Sequence, residues 1–156
     1  MPTFLQAEKG FTSFAATLGF AGLFMVGVVT TPLAGAVGDR WSHLHVSAVA
    51  TGLSVVGLGT LVAGDRFAVV VLGLVVYAVG LTTFWPLIYI HLVDQLAGDT
   101  VGGDLGALRM AYFAIGSLGP TYVGFVATHH DYTVAFGSLI LCFVVAGSTV
   151  VWLIAR

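Results

Sequence analysis

The chain has 156 residues, of which 58% are apolar and only 8% are charged, with a formal net charge of −2. Soluble domains have about a quarter of their residues charged, so this composition, with a mean hydropathy of +1.05, indicates a membrane protein. Five Lys and Arg residues in total leave no basic patch for nucleic acid, and we expect no nucleic-acid partner. The single cysteine, Cys142, stands in an apolar run and can form no internal disulfide.

Five apolar runs are each long enough to cross a hydrocarbon core about 30 Å thick, and they predict five transmembrane helices. The runs lie at residues 14–37, 44–63, 67–93, 105–128 and 133–155. Polar separators at residues 38–43, 64–66, 94–104 and 129–132 are expected to form the loops. We therefore predict an all-α polytopic membrane protein, with one membrane domain over residues 1–156 and the lipid bilayer as a partner.

The first separator contains a short charged pattern. Gly35 is followed by Asp39 and Arg40, and His43 ends the separator. Gly35, Asp39 and Arg40 resemble the G-x-x-x-D-R core of the loop signature of major facilitator superfamily transporters. In that family the signature lies between the second and third helices and, in weaker form, between the eighth and ninth. The family usually continues with x-G-R-K/R, which residues 41–44 do not match, and this favours the weaker copy.

The third apolar run contains Pro86, which cannot donate to the carbonyl of Thr82 and predicts a bend in the helix. Thr82, Trp85 and Tyr89 recur at helical spacing, and a stripe of this kind can line a substrate path. Such residues more often pack against neighbouring helices, which is the alternative. The candidates for the substrate path are Tyr77, Thr82, Trp85, Tyr89 and Tyr112.

The fourth run predicts a close, bendable helix contact. Gly116, Pro120 and Gly124 recur every fourth residue, which allows a neighbouring helix to approach, and Gly119 adds a further small residue. The segment resembles, with slightly different spacing, a G-x-x-x-G-P-x-x-x-G pattern on the fifth helix of some facilitator families and on its equivalent, the eleventh. Arg109, near the start of the run, resembles the basic start of that eleventh helix.

The order of these features matches helices two to six or eight to twelve of a facilitator. The end of the sequence after the fifth run favours helices eight to twelve, with residues 1–10 as the outer end of the seventh helix. The resemblance thus implies a partial facilitator-type six-helix bundle, the carboxyl-terminal half of a secondary active transporter. The implied activity is efflux or uptake of a drug or another small molecule. Its partner would be the missing amino-terminal half or a second copy of the chain.

A second hypothesis is a small multi-pass interaction subunit or homo-oligomer without transport activity of its own. No nucleophile with a base, paired carboxylates or phosphate-binding glycine loop occurs, so we expect neither an enzyme nor a cofactor. The preference for Arg over Lys and for Asp over Glu favours a prokaryotic source.

The resemblance assigns a conformational switch to Gly35, Asp39, Arg40, His43, Asp94 and Arg109. Within this set, a basic residue of the loop, Arg40 or His43, is expected to pair with Asp94. Arg109 can anchor at the interface, with Asp99 and Asp104 as local acids, or meet the loop-signature Asp of the other half.

The histidines near helix ends have two interpretations each. His91 and Asp94 could form a proton-coupling pair, but a solvated helix end is favoured. His129, His130 and Asp131 are expected to form a solvated loop, and we predict no metal site.

Positive charges predict the orientation, because Lys and Arg near helix ends are retained in the cytoplasm. Arg40, Arg109 and Arg156 would share one side, and Lys9 and Arg66 the other. We therefore predict a plasma-membrane protein with its amino terminus outside and its carboxyl terminus in the cytoplasm. The resemblance implies the same, since that family keeps its loop signature on the cytoplasmic side.

Overall fold

A computed structural model describes residues 1–96 and 101–156, and all regular secondary structure in these residues is helical. The helices are α1 (Pro2–Ala7), α2 (Ser13–Arg40), α3 (His43–Ala63), α4 (Phe67–Gln95), α5 (Val101–His129) and α6 (Tyr132–Ile154). Five of these helices, α2 to α6, are long and apolar enough to cross a membrane. The protein is therefore an all-α polytopic membrane protein, and the fold class predicted from composition is confirmed.

Several helices continue beyond the apolar runs into the polar separators. Asp39 and Arg40 form the last residues of α2 rather than a loop, so residues 41–42 alone connect α2 to α3. Asp104, which the sequence placed in a loop, lies in the first turn of α5. The reason is physical, because hydropathy reports the length that faces hydrocarbon, whereas backbone hydrogen bonding can extend a helix into the interface. Asp99 lies outside the described residues.

Side-chain caps and one glycine determine where the chain enters the membrane helices. The Thr12 hydroxyl accepts a hydrogen bond from the Ala15 N–H at 3.2 Å and caps α2. Asp131 caps α6 in the same way, accepting from the Val134 N–H at 2.6 Å. Gly10 has a φ of +67°, and this left-handed conformation turns the chain between α1 and α2.

The helices α3 and α4 pack with their backbones in direct contact. A methyl group added to Gly57 would lie 2.6 Å from the Tyr77 Cα, and one on Gly73 would lie 2.6 Å from the Leu61 backbone nitrogen. A methyl group on Gly80 would also collide with the backbone of α3. Only glycine fits at these three positions without a shift of one helix. The sequence interpretation had assigned no distinguishing feature to α3.

The short helix α1 is anchored at one end of the bundle by burial and by polar contacts. Phe4 and Leu5 are completely buried, and the Phe4 ring lies 4.7 Å from that of Phe136 on α6. Lys9 donates from Nζ to the Val62 carbonyl at 2.7 Å. The residues of the buried core here are Phe4, Leu5, Ala16, Leu58, Leu61, Val70, Leu74 and Phe136.

The helix α5 lies at the edge of the bundle. It packs mainly against α6, and none of its residues from 102 to 129 is buried. The helix α2 is also largely exposed but packs along α4, with Ala16, Ala34 and Gly38 buried. The packed centre therefore consists of α3, α4 and α6, and the cleft described below lies between this centre and α5.

The α3–α4 contact generates a stability prediction with a control in the same helix. We expect Gly57→Ala to destabilise the protein by about 1 to 3 kcal/mol, because the added methyl overpacks the contact. Gly59→Ala should be neutral or stabilising by up to about 1 kcal/mol, because Ala favours helix and no atom lies within 4 Å of its methyl group. Equilibrium unfolding in mixed micelles, followed by circular dichroism, measures both. Equal stability of the two variants would contradict the packing.

Candidate functional site

A cleft of roughly 650 Å³ opens between α4 and α5. Trp85, Pro86 and Tyr89 line it from α4, and Arg109 and Tyr112 line it from α5. The spacing on each helix explains this, since residues three or four apart share one face. Three of the predicted path residues, Trp85, Tyr89 and Tyr112, thus lie together. A second cavity, of about 350 Å³, is bordered by the same three aromatic residues.

The two walls meet through aromatic side chains rather than through backbone packing. The ring centroids of Trp85 and Tyr112 are 5.4 Å apart, a distance at which aromatic rings attract each other. The Arg109 guanidinium carbon lies 5.0 Å from the centroid of the Tyr89 ring, which is a cation–π distance. The cleft is therefore bounded by π-faces, with one cation held against them.

Arg109 is the one charged group among the described residues that line these two cavities. The sequence interpretation placed it at the membrane interface or in a contact with another half, not in a cleft. Phe113, Gly116 and Ser117 continue the α5 wall, and they too were missed as lining residues. The signal was the spacing of Arg109, Tyr112 and Gly116, three and four residues apart on one helix.

Thr82 does not line the cleft and contacts α2 instead. Its hydroxyl oxygen is 2.6 Å from that of Thr30 on α2, and it also donates to the Ala78 carbonyl at 2.7 Å. A methyl group on Gly27 of α2 would lie 3.0 Å from the Thr82 side chain. Residues at i, i+3 and i+7 spread over an arc of the helix surface that is wide enough to contact two neighbouring helices. Here Thr82 contacts α2, whereas Trp85 and Tyr89 face α5.

Tyr77 is likewise part of the helix packing rather than of the cleft. Its ring lies edge-on to Phe143 of α6 with centroids 5.9 Å apart, and its backbone contacts Gly57 of α3. For this residue the structure shows the alternative of packing against neighbouring helices.

The switch residues form a local contact but not the predicted latch. His43 Nε2 lies 3.3 Å from Asp39 Oδ1, and its ring is close to Gly38. Within residues 1–96 and 101–156, no ion pair links Arg40 or His43 to Asp94. The contact between His43 and Asp39 replaces that latch in this structure.

The glycines of α5 face open space. A methyl group on Gly116, Gly119 or Gly124 would meet no atom within 4 Å, and α5 continues through Pro120 to His129. The predicted close helix contact is therefore not made within the described chain. Gly35 on α2 is open in the same way. Gly119 and Gly124 border a groove that Thr3 of α1 and Phe136 of α6 line from the other side.

The histidines near the loop between α5 and α6 have ordinary structural partners. His129 Nδ1 lies 2.9 Å from the Phe125 carbonyl oxygen, and Asp131 caps α6. In the described part of the chain, no three His, Cys, Asp or Glu side chains come together as a metal site requires.

Comparison with known proteins gives one match. The family model described as Major Facilitator Superfamily matches residues 1–156. No curated protein and no solved structure matches the chain.

The contact between Thr30 and Thr82 generates a prediction about the pairing of α2 with α4. Each threonine hydroxyl has one proton, which it can donate either to the other hydroxyl or to a carbonyl of its own helix. Only one of the two threonines can therefore donate across the pair. A double-mutant cycle with Thr30→Val and Thr82→Val should give a coupling of about 0.6 kcal/mol, and at most about 1.7 kcal/mol. Unfolding in mixed micelles measures it. Strictly additive effects would show that the pair contributes nothing to helix association.

Proposed function

Because the chain belongs to the major facilitator superfamily of membrane transporters, we propose that it acts as the carboxyl-terminal part of a secondary active transporter. Facilitators bind substrate near the bilayer midplane, between two bundles that rock against each other. In this chain, the cleft between α4 and α5 would form one wall of that site. Trp85, Tyr89 and Tyr112 would contact the small-molecule substrate.

The exposure of α5 is the observation that supports this proposal most directly. The helix α5 is apolar and packs mainly on one neighbour, and methyl groups added to Gly116, Gly119 or Gly124 would meet no atom within 4 Å. The surface of α5 is therefore only partly covered by the other helices of this chain. Small residues drive helix association in membranes by allowing close van der Waals contact. A second bundle seated on this face would cover the glycines and close the cleft.

Arg109 supports the same arrangement through its charge. An arginine within a membrane helix needs a partner or access to water, and its cost rises to about 2.5 to 3.5 kcal/mol at the helix centre. Here its guanidinium lies on the Tyr89 ring, a contact that leaves its N–H donors available to another group. A carboxylate, from the other half or from a bound substrate, would accept a charge-assisted hydrogen bond from it.

The orientation is part of the proposal. The polar residues before α2 meet those of two loops at one end of the bundle, where Lys9 lies 4.0 Å from Asp65 and the Tyr132 N–H donates to Glu8 at 3.4 Å. Since each spanning helix reverses direction, Arg40 and Arg156 lie at the opposite end. With Arg109, that end has three Lys or Arg residues against two at the end with Lys9 and Arg66, which supports a cytoplasmic location for it in the plasma membrane.

Assembly with an amino-terminal half tests the proposal. We expect the purified 156-residue chain to move no solute by itself, and to co-purify with a cognate amino-terminal half that restores transport. Gly119→Leu should reduce co-purification, because the added side chain blocks the open face. Gly137→Leu on α6, also in open space, is the matched control. Arg109→Ala should weaken restored transport.

Two outcomes would redirect this assignment. Self-association of the chain, with no gain from any amino-terminal half, would favour the interaction subunit or homo-oligomer. Transport by the chain alone against a gradient, with Arg109→Ala fully active, would contradict both the need for a second half and the role of Arg109.

Thiol labelling tests the orientation. In a Cys142→Ala background, a cysteine replacing Ser42 should resist an impermeant maleimide added to intact cells and react once the membrane is opened. A cysteine replacing His130 should react from outside without opening the membrane, because it lies in the loop at the other end. The reverse pattern would overturn the proposed sidedness.

A further inference from the structure

We propose that the cleft between α4 and α5 binds an organic anion with a flat, apolar body. Arg109 would pair with the carboxylate or similar group, and Trp85 and Tyr112 would hold the body. This inference rests on the proposed function in one respect, since it names the substrate class for the same cleft. Binding itself requires only the chain described here.

The sign of the charge follows from the lining of the cleft. Arg109 is the sole charged residue among the described residues bordering both cavities, and the ion pairs of the described chain, Lys9 with Asp65 and His43 with Asp39, do not involve it. A cationic ligand would face this guanidinium with no lining carboxylate to oppose it. An anionic ligand would gain a charge-assisted hydrogen bond in a largely apolar setting.

The position of Arg109 leaves it able to bind such a group. Its guanidinium lies 5.0 Å from the centroid of the Tyr89 ring, which holds the charge inside the cleft. No hydrogen bond or ion pair within the described residues engages its N–H groups, which are therefore available to a ligand. Those donors form a fork that matches the two oxygens of a carboxylate.

The shape of the cleft indicates the rest of the ligand. A volume of roughly 650 Å³ falls within the range of about 300 to 1,000 Å³ that is usual for small-molecule sites. The Trp85 and Tyr112 rings, 5.4 Å apart and 41° from parallel, present neighbouring π-faces, and Pro86 and Phe113 add apolar surface. An aromatic or similarly flat body fits these walls better than a sugar would, because most of the exposed lining surface is apolar.

Tryptophan fluorescence can measure binding directly at Trp85. With Trp41→Phe and Trp152→Phe, Trp85 is the remaining tryptophan, since the chain has three. The protein is placed in nanodiscs of phosphatidylcholine and titrated with 4-nitrobenzoate, a quencher that carries a negative charge. Its neutral counterpart, 4-nitrobenzamide, controls for partition into the lipid.

We expect saturable quenching by 4-nitrobenzoate, with an affinity at least about tenfold higher than that for 4-nitrobenzamide, as a hydrogen bond to a charged group provides. Arg109→Gln should abolish this preference, because 4-nitrobenzoate loses more affinity than the neutral amide when the charge is removed. Arg109→Lys should keep most of it, because the charge remains. Arg66→Gln at the other end of the bundle should have no effect.

Equal affinity for the two probes, or a preference that survives Arg109→Gln, would overturn the proposal. Circular dichroism and the Trp85 emission maximum check folding, and if Arg109→Gln does not fold, Arg109→Ala takes its place: a lost preference supports the site and a retained one overturns it. Binding without assembly with another half would leave this inference standing and contradict the proposed function. Assembly with the other half, without a preference for the anion, would support the proposed function and contradict this inference.

Discussion

The direct backbone contact between α3 and α4 is the constraint on which the rest of the structure depends. Gly57 and Gly73 allow it near the core, and Gly80 allows it further along α4. In a membrane, helices gain little from apolar burial alone, so this close approach provides dispersion contacts that larger residues would prevent. The helices α2 and α6 then pack against this pair, and the direction of α4 decides where Trp85 and Tyr89 lie.

The division of α4 among three neighbours follows from that arrangement. Its glycines face α3, Thr82 contacts Thr30 of α2, and Trp85 and Tyr89 are left to face α5. Since α5 packs mainly on α6, the space between α4 and α5 remains a cleft instead of a packed interface. Arg109 gives that cleft a positive charge in addition to its shape. The same geometry therefore supports both the proposed second half and the proposed anionic ligand.

The spans and the family could be predicted from the sequence because they depend on features along the chain. Long apolar runs report the helices, and the pattern Gly35, Asp39 and Arg40 reports the family even though the residues after it differ. The ends of the helices were less predictable. Asp39 and Asp104 are helical because hydrogen bonding in the backbone continues after the apolar run has ended.

The partners of each face could not be predicted, because small residues look alike in sequence whether or not a neighbour covers them. Gly80 is in tight contact with α3, whereas a methyl group on Gly119 would meet no atom within 4 Å, although both are small residues inside long apolar runs. Thr82 was grouped with Trp85 and Tyr89 by spacing, although a helix with neighbours on two sides divides such a set. Arg109 was assigned to an interface because a sequence position near a helix start does not reveal that Tyr89 lies opposite.

The central claim is that α3 and α4 form a rigid centre, whereas α5 is held in place only when the other half binds. A pair of distance measurements by pulsed electron paramagnetic resonance tests it. Spin labels at Val56 and Leu72, both exposed, report on α3 and α4, and labels at Leu72 and Leu118 report on α4 and α5. In the isolated chain, we expect a narrow distance distribution for the first pair and a broad one for the second, which should narrow when the amino-terminal half is added. A distribution for the second pair that is as narrow as the first in the isolated chain, and unchanged by the other half, would contradict the account.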